Sequence, residues 1–424
     1  MILVRRMHMR PYVILLVTVL LCSSAFSQSP RFVSTKGTRI VTPDGKPILL
    51  RGINLGNWLV PEGYMIKFRN ANSPRLINST LTELLGPAET KLFWKKYRDS
   101  FITRKDISFI KKVGLNSVRV PFNYRLFVSE DQSLKFDGPG MELLERVVKW
   151  CAEEQLFVIL DMHCAPGGQT GDNIDDSYGY PFLFESAEDQ ELTAKVWREI
   201  AAHFAVEPAV IGYDLLNEPI APYFDVARLN RSLEPLYKRI VASIREVDTN
   251  HICFLGGAQW DGNFKIFGPP FDSKLVYTYH KYWCDTTQKE IQEYVEFGRK
   301  YQVPIWLGES GENTDEWIGA FRRLNERNDI GWCFWPYKKM DATACIASVK
   351  RTPEFDSVIA YANEPRLSYK DIRKARPAPE IVRKALYDYV DNCRLEHCTI
   401  NEGYLRALGA KMDREILRES TPGK

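Results

Sequence analysis

A rhythm of short apolar runs separated by helical spacing constrains this chain more than any other feature. The runs occupy residues 49–54, 116–120, 157–160, 210–216, 252–255, 275–279, 304–307 and 331–335. Between them, apolar residues recur at helical spacing over 89–113, 140–155, 189–204, 225–247, 288–301 and 316–328. Near-continuous apolar strands alternating with helices make a parallel sheet covered by helices. Eight such units over about 290 residues predict an α/β fold of the (β/α)8 TIM-barrel type. A doubly wound open sheet is the alternative, although no Gly-x-Gly-x-x-Gly follows the first run to mark a dinucleotide site. A hairpin is expected ahead of the barrel, because Ile40-Val41-Thr42 and Pro47-Ile48-Leu49-Leu50 flank the turn Pro43-Asp44-Gly45-Lys46. At the other end, Ile381, Ala385, Leu386 and Tyr389 would share one face of a closing helix. The expected division is therefore a leader at 1–27, the catalytic-type barrel at 28–390 and a C-terminal helical appendage at 391–424.

The leader reads as a secretory signal peptide. Arg5, Arg6 and Arg10 precede an apolar stretch too short to span a bilayer comfortably, and Ala25-Phe26-Ser27 is a small-x-small cleavage site. This predicts a secreted or periplasmic protein with no stable membrane insertion once the leader is removed. Three of the 57 basic residues and none of the 54 acidic ones lie in the leader, so the remainder is electrically balanced. A balanced chain offers no electrostatic reason to bind nucleic acid or an anionic membrane. No cysteine or histidine spacing resembles a zinc site, and there are only six histidines, so neither a metal nor another cofactor is expected. Cys393 and Cys398 are close enough to close a small loop, whereas Cys253 and Cys333 sit in apolar runs as buried thiols. Asn78-Ser79-Thr80 and Asn230-Arg231-Ser232 fit the glycosylation triplet.

In a barrel of this kind the chemistry lies where the strands end. The fourth run stops abruptly at Asn217-Glu218-Pro219, since proline offers no N–H and forces its predecessor out of the helical region. Taken alone, Glu218 either caps a turn or does chemistry. The other run ends supply Arg119, His163, His280 with Tyr282, Glu309 and Trp335. Each has a structural explanation by itself, as a buried ion pair, a core histidine or a core tryptophan. All of them at one rim point to a site. Two carboxylates over one barrel mouth suit glycoside hydrolysis, one as a general acid with a raised pKa and the other ionised as nucleophile. Trp58, Tyr180, Tyr223, Trp260, Phe264 and Trp283 are candidate platforms for the apolar faces of sugar rings.

These motifs resemble those of glycoside hydrolase family 5, the cellulase-like family, over roughly residues 51–339. Asn217-Glu218-Pro219 is the most specific match, supported by His280-x-Tyr282 and Gly308-Glu309-Ser310. The stretches 50–59 and 163–169 are similar to the exo-1,3-β-glucanase-like branch, with Asn57 and Gly168 where that branch usually has glycine and serine. The resemblance implies a retaining enzyme acting on a β-linked oligo- or polysaccharide, with Glu218 as acid/base and Glu309 as nucleophile. It further implies that Asn217 bonds the sugar 2-hydroxyl, that Arg119 and Tyr282 hold Glu309 ionised and aimed, and that His163 and His280 line the sugar subsite. Trp335 would floor that subsite. A retaining outcome predicts carboxyl groups about 5–5.5 Å apart. A catalytically silent sugar-binding barrel, and a mannanase or transglycosylase on the same scaffold, are the alternatives.

Overall fold

The computed structural model describes residues 32–129 and 131–411. The leader at 1–27 lies outside these residues. Eight parallel strands close into a barrel: β1 (Arg51–Asn54), β2 (Ser117–Asn123), β3 (Phe157–Cys164), β4 (Val210–Asp214), β5 (Ile252–Gly256), β6 (Leu275–His280), β7 (Ile305–Glu309) and β8 (Gly331–Phe334). They stand in chain order around the ring, with β8 hydrogen-bonded to β1 and closing it. The open doubly wound sheet is thereby excluded. All eight strands fall on the apolar runs, but β2 and β3 run further than the apolar pattern does. His163 consequently lies within its strand, not beyond its end, and Arg119, inside the run at 116–120, stands well before the end of β2. A buried charged residue breaks the hydrophobic run without breaking the strand.

The barrel interior divides into two zones. The lower zone is apolar, filled by side chains such as Ile159, Ile211, Phe254, Val276 and Trp306. The expected hairpin (Arg39–Val41 paired antiparallel with Pro47–Ile48) brings Ile40 onto this plug, beside Val33. The upper zone is ionic and forms the floor of the site. Register creates it: Asn54 lies opposite Arg119, and Asp161 lies opposite Asp214.

Around the ring, two expectations need correction. The helical stretch at 89–113 is two helices, Pro87–Phe101 and Arg104–Lys112. Ile102 is extended, and Thr103 with Asp106 forms a capping box that starts the second helix afresh. The preceding polar connection contains a further helix, Pro74–Leu85, with Ser73 accepting from Leu76 N–H and proline in its first turn. Near the C-terminus, helix Pro379–Asn392 buries Val382, Ala385, Leu386 and Tyr389, while Ile381 points outward. Beyond it, Thr399–Ile400 pairs with Ala347–Val349. Helix Glu402–Ala407 packs on helix Asp315–Arg327, and Tyr404 donates to the carbonyl of Trp335 at 3.2 Å. All eight cysteines among the described residues are free thiols, Cys393 and Cys398 included. The amides of both glycosylation triplets are engaged, Asn78 by Trp94 and Asn230 by Gln259. No helix among the described residues is long and apolar enough to cross a membrane.

One buried lysine ties the last helices to the barrel. Lys338 is fully buried, lies 2.5 Å from Asp106, and donates to the carbonyls of Phe101 and Cys393. Removing it takes the cation from a buried carboxylate, which keeps only the neutral donors of Thr103 and Tyr337, and a donor from two carbonyls. Lys338→Ala should lower stability by about 3–5 kcal/mol, read by denaturant unfolding, with no change in the number of transitions.

Candidate active site

Arg119 is the centre of the ionic zone. Its guanidinium reaches Asp214 at 2.7 Å, Asp161 at 3.0 Å, Glu309 at 2.5 Å, Asn217 at 2.8 Å and Asn54 at 3.1 Å. Four of these contacts are hydrogen bonds and that with Asp161 is an ion pair alone; the partners arrive from β1, β3, β4, the loop after β4 and β7. Burial alone would lower its pKa, but the charges of Asp161, Asp214 and Glu309 outweigh burial and raise it well above the usual value. Burial pushes Asp161 and Asp214 up to about 7, with Arg119 opposing. Asn54 in turn donates to the carbonyls of Gly308 and Cys333, which locks β1 against β7 and β8.

Glu309, the last residue of β7, has both carboxylate oxygens occupied. Arg119 holds Oε1, and the Tyr282 hydroxyl donates to Oε2 at 3.0 Å. Burial raises the Tyr282 pKa well above 10, so it stays an O–H donor. Glu218 stands across the mouth in a turn of left-handed backbone, with φ of 47° at Glu218 and 58° at Ile220. Such conformations cost non-glycine residues about 1–2 kcal/mol each. The loop after β3 braces the turn: Gln169 donates to the Asn217 carbonyl and Thr170 to the Glu218 carbonyl, each at 2.8 Å. Burial pushes the Glu218 carboxyl up to about 7, with the charge of Asp172 adding and those of His163 and Arg119 opposing.

Both histidines are buried and held down by that burial, His163 to about 4 and His280 to about 3. His163 Nδ1 meets Asp161 at 2.8 Å, and its ring lies parallel to Trp335 with centroids 5.5 Å apart. His280 Nδ1 lies 2.9 Å from Glu218 Oε1. Trp335 donates to the Tyr64 hydroxyl at 2.6 Å and lies against Gly56, where any Cβ would come within 2.5 Å of its ring. The structure thus brings all eight predicted residues together: Arg119, His163, Asn217, Glu218, His280, Tyr282, Glu309 and Trp335. One oxygen of Glu218, one of Glu309 and a ring nitrogen of His280 lie within 4.8 Å of one another. These atoms suit a proton better than a cation, because the glutamate oxygens already face Arg119, Tyr282 and His280.

Above this floor opens a cleft of about 730 Å3. Of the six aromatic candidates, Trp260 and Trp283 line it and are well exposed. Tyr223 stands beside Trp260 and donates to Asp172 at the cleft edge. Phe264 and Trp58 are core residues, and Tyr180 packs on Phe182 and Phe224 away from the cleft. Among the cleft groups that sequence spacing missed are Glu62, Tyr64, Asp172 and Glu312. Glu62 is buried, with one carboxyl oxygen unpartnered, and burial followed by the charges of Glu309 and Glu218 raises its pKa well above the usual range. The loop that carries it turns at Asn57, which adopts φ of 66° and accepts from Glu62 N–H at 3.0 Å. Asparagine tolerates that left-handed conformation where other side chains resist it.

Comparison with known proteins identifies the family. The profile described as Cellulase (glycosyl hydrolase family 5) matches residues 78–341, more than half of the chain. The chain belongs to glycoside hydrolase family 5. Among its relatives, a Beta-xylosidase of Phanerodontia chrysosporium is 32% identical over 63% of this chain and 52% of its own length, so the chain spans about half of that relative. Endoglucanase C of Acetivibrio thermocellus is 26% identical over 60% of this chain and 89% of its own length. A Probable glucan 1,3-beta-glucosidase A of Aspergillus fumigatus is 29% identical over 63% and 66%. The crystal structure of endogalactoceramidase shares the fold, with a TM-score of 0.59 at 17% identity over 89% of this chain and 84% of that one.

The arginine cluster makes a stability prediction. Arg119→Met leaves three carboxylates without their shared cation and should cost about 3–5 kcal/mol in denaturant unfolding. Arg119→Lys should recover only part of this, since one ammonium cannot reach all five partners of a planar fan.

Proposed function

We propose that this chain is a retaining β-glycosidase acting outside the cytoplasm on a β-linked glucan or related polysaccharide. The observation that carries the reading is the pair Glu218 and Glu309, whose nearest oxygens lie within 4.8 Å. An inverting pair needs about 6.5–9.5 Å between carboxyl groups to admit a water, so this spacing supports double displacement. Glu309, gripped by Arg119 and Tyr282, attacks the anomeric carbon from below. Glu218 gives its proton to the departing oxygen, then takes one from the water that releases the glycosyl-enzyme. Asn217, held by Arg119, presents its amide toward the 2-hydroxyl. Trp335, stacked on His163, forms the floor under the sugar. The names of the endoglucanase and 1,3-β-glucosidase relatives support a glucan. Glu62, Asp172 and Glu312 give the cleft further polar groups for sugar hydroxyls.

Glu309→Gln should lose nearly all turnover of an aryl β-glucoside, and wild-type-like activity would refute the assignment. Glu218→Ala should lose about 100- to 10,000-fold on an unactivated glucan. Added azide should then restore turnover of a 2,4-dinitrophenyl glucoside, giving the β-glucosyl azide, whereas an α product would refute retention by this pair.

The pH profile has a definite sign. Glu218 must carry its proton to act as acid, and its pKa is pushed up to about 7. In the wild type, kcat/KM should fall as pH rises through about 7, and this limb should vanish in Glu218→Gln. Prolonged treatment with a chelator should leave activity unchanged, and a loss restored by a divalent cation would refute metal-free chemistry.

A further inference from the structure

We propose that Asp261 is a positioning residue for the acid/base step, fixing Glu218 through its peptide and through His280. The proposal rests on the reading of Glu218 as acid/base. Asp261 Oδ2 accepts from the Glu218 peptide N–H at 3.3 Å. The same oxygen stands 3.2 Å from His280 Nε2, while Nδ1 of that ring stands 2.9 Å from Glu218 Oε1. A single buried oxygen therefore hydrogen-bonds the Glu218 peptide and stands in close contact, without a hydrogen bond, with the imidazole that meets the Glu218 carboxyl.

The chain takes unusual steps to put it there. After β5, residues Gln259, Trp260 and Asp261 are all left-handed, with φ of 51°, 57° and 60°. The turn is clamped by backbone bonds between Ala258 and Asn263, and by Gln259 bonding to Asn230 and Asn263. Space for the carboxyl exists because residue 256 is glycine. A Cβ there would lie 1.9 Å from Asp261 Oδ1. Three consecutive strained residues and a glycine vacated for one side chain are difficult to explain by packing alone, since an alanine at 261 would need none of them.

The part Asp261 plays in these contacts is that of an acceptor oxygen. It is fully buried, its Oδ1 has no partner, and Asp214 and Glu218 face it from the β4 side. Burial first, then those two neighbours, raises its pKa well above the usual range, with Arg119 opposing. An ionised carboxylate here would repel Glu218, whereas an uncharged one anchors it.

The test compares kcat/KM for phenyl and 2,4-dinitrophenyl β-glucosides, because only the phenyl leaving group needs an acid. Asp261→Ala should raise the dinitrophenyl-to-phenyl ratio by about 10- to 100-fold, part of the full general-acid contribution. Asp261→Asn, which keeps an uncharged oxygen, should return the ratio to within a few-fold of the wild type. Should the alanine variant not fold, Asp261→Ser serves in its place and should show the same raised ratio. An equal fall for both substrates would overturn the proposal, because it marks a merely structural role. A raised ratio in Asp261→Asn matching that of Asp261→Ala would overturn it too, because a charge would then be needed. Glu218→Gln is the control. If that variant leaves the ratio unmoved, the acid/base reading itself fails, and the role of Asp261 with it.

Discussion

A guanidinium with no access to water sits between three carboxylates, and the site is organised by that fact. Charges inside a barrel lose their hydration, and the loss is recovered only where geometry is near ideal and every remaining donor is used. Arg119 meets this condition by spending its planar fan on four hydrogen bonds and an ion pair with Asp161. The consequence is positional. Asn217 and Glu309, on opposite sides of the mouth, are referenced to one rigid group in the floor. Glu218 is different, since nothing cationic touches it. Its carboxyl shares its surroundings with neutral histidines and other acids, and burial raises it. One carboxyl is thus gripped by a cation and the other left to hold a proton, and the difference comes from which strand reaches the guanidinium.

The barrel and its rim were legible from sequence because both follow from simple periodicities. Buried parallel strands are apolar on both faces, so the eight runs stood out, and the residues that interrupt or end them are the ones the fold brings together at the barrel mouth. What stayed hidden has physical causes. Helix Pro74–Leu85 is signalled by its Ser73 cap and first-turn proline, but it lies in a stretch whose polar residues and prolines suggest a loop. The break at Ile102 depends on a capping box that apolar spacing does not register. Phe264 looked like a platform because it follows β5, yet the chain turns back there and buries it. Glu62 and Asp261 were missed for a shared reason: each is several residues beyond its strand, and only the folded loop carries it to the mouth.

Loop geometry at the mouth carries a further lesson about strain. Left-handed backbone at side-chain-bearing residues is concentrated there, at Asn57, Glu218, Ile220, Gln259, Trp260, Asp261, Trp283 and Glu312. Such conformations persist only where the surroundings over-determine them. In the turn after β5 the purpose can be read from its two neighbours. Trp260 faces the open cleft, and Asp261, the next residue, is sealed beneath Glu218. A helical or extended chain would have to choose between these directions or lengthen the loop. Consecutive left-handed residues turn the backbone tightly enough to do both. A ring in the cleft and a buried carboxyl bonded to the Glu218 peptide are therefore adjacent residues of one tight turn.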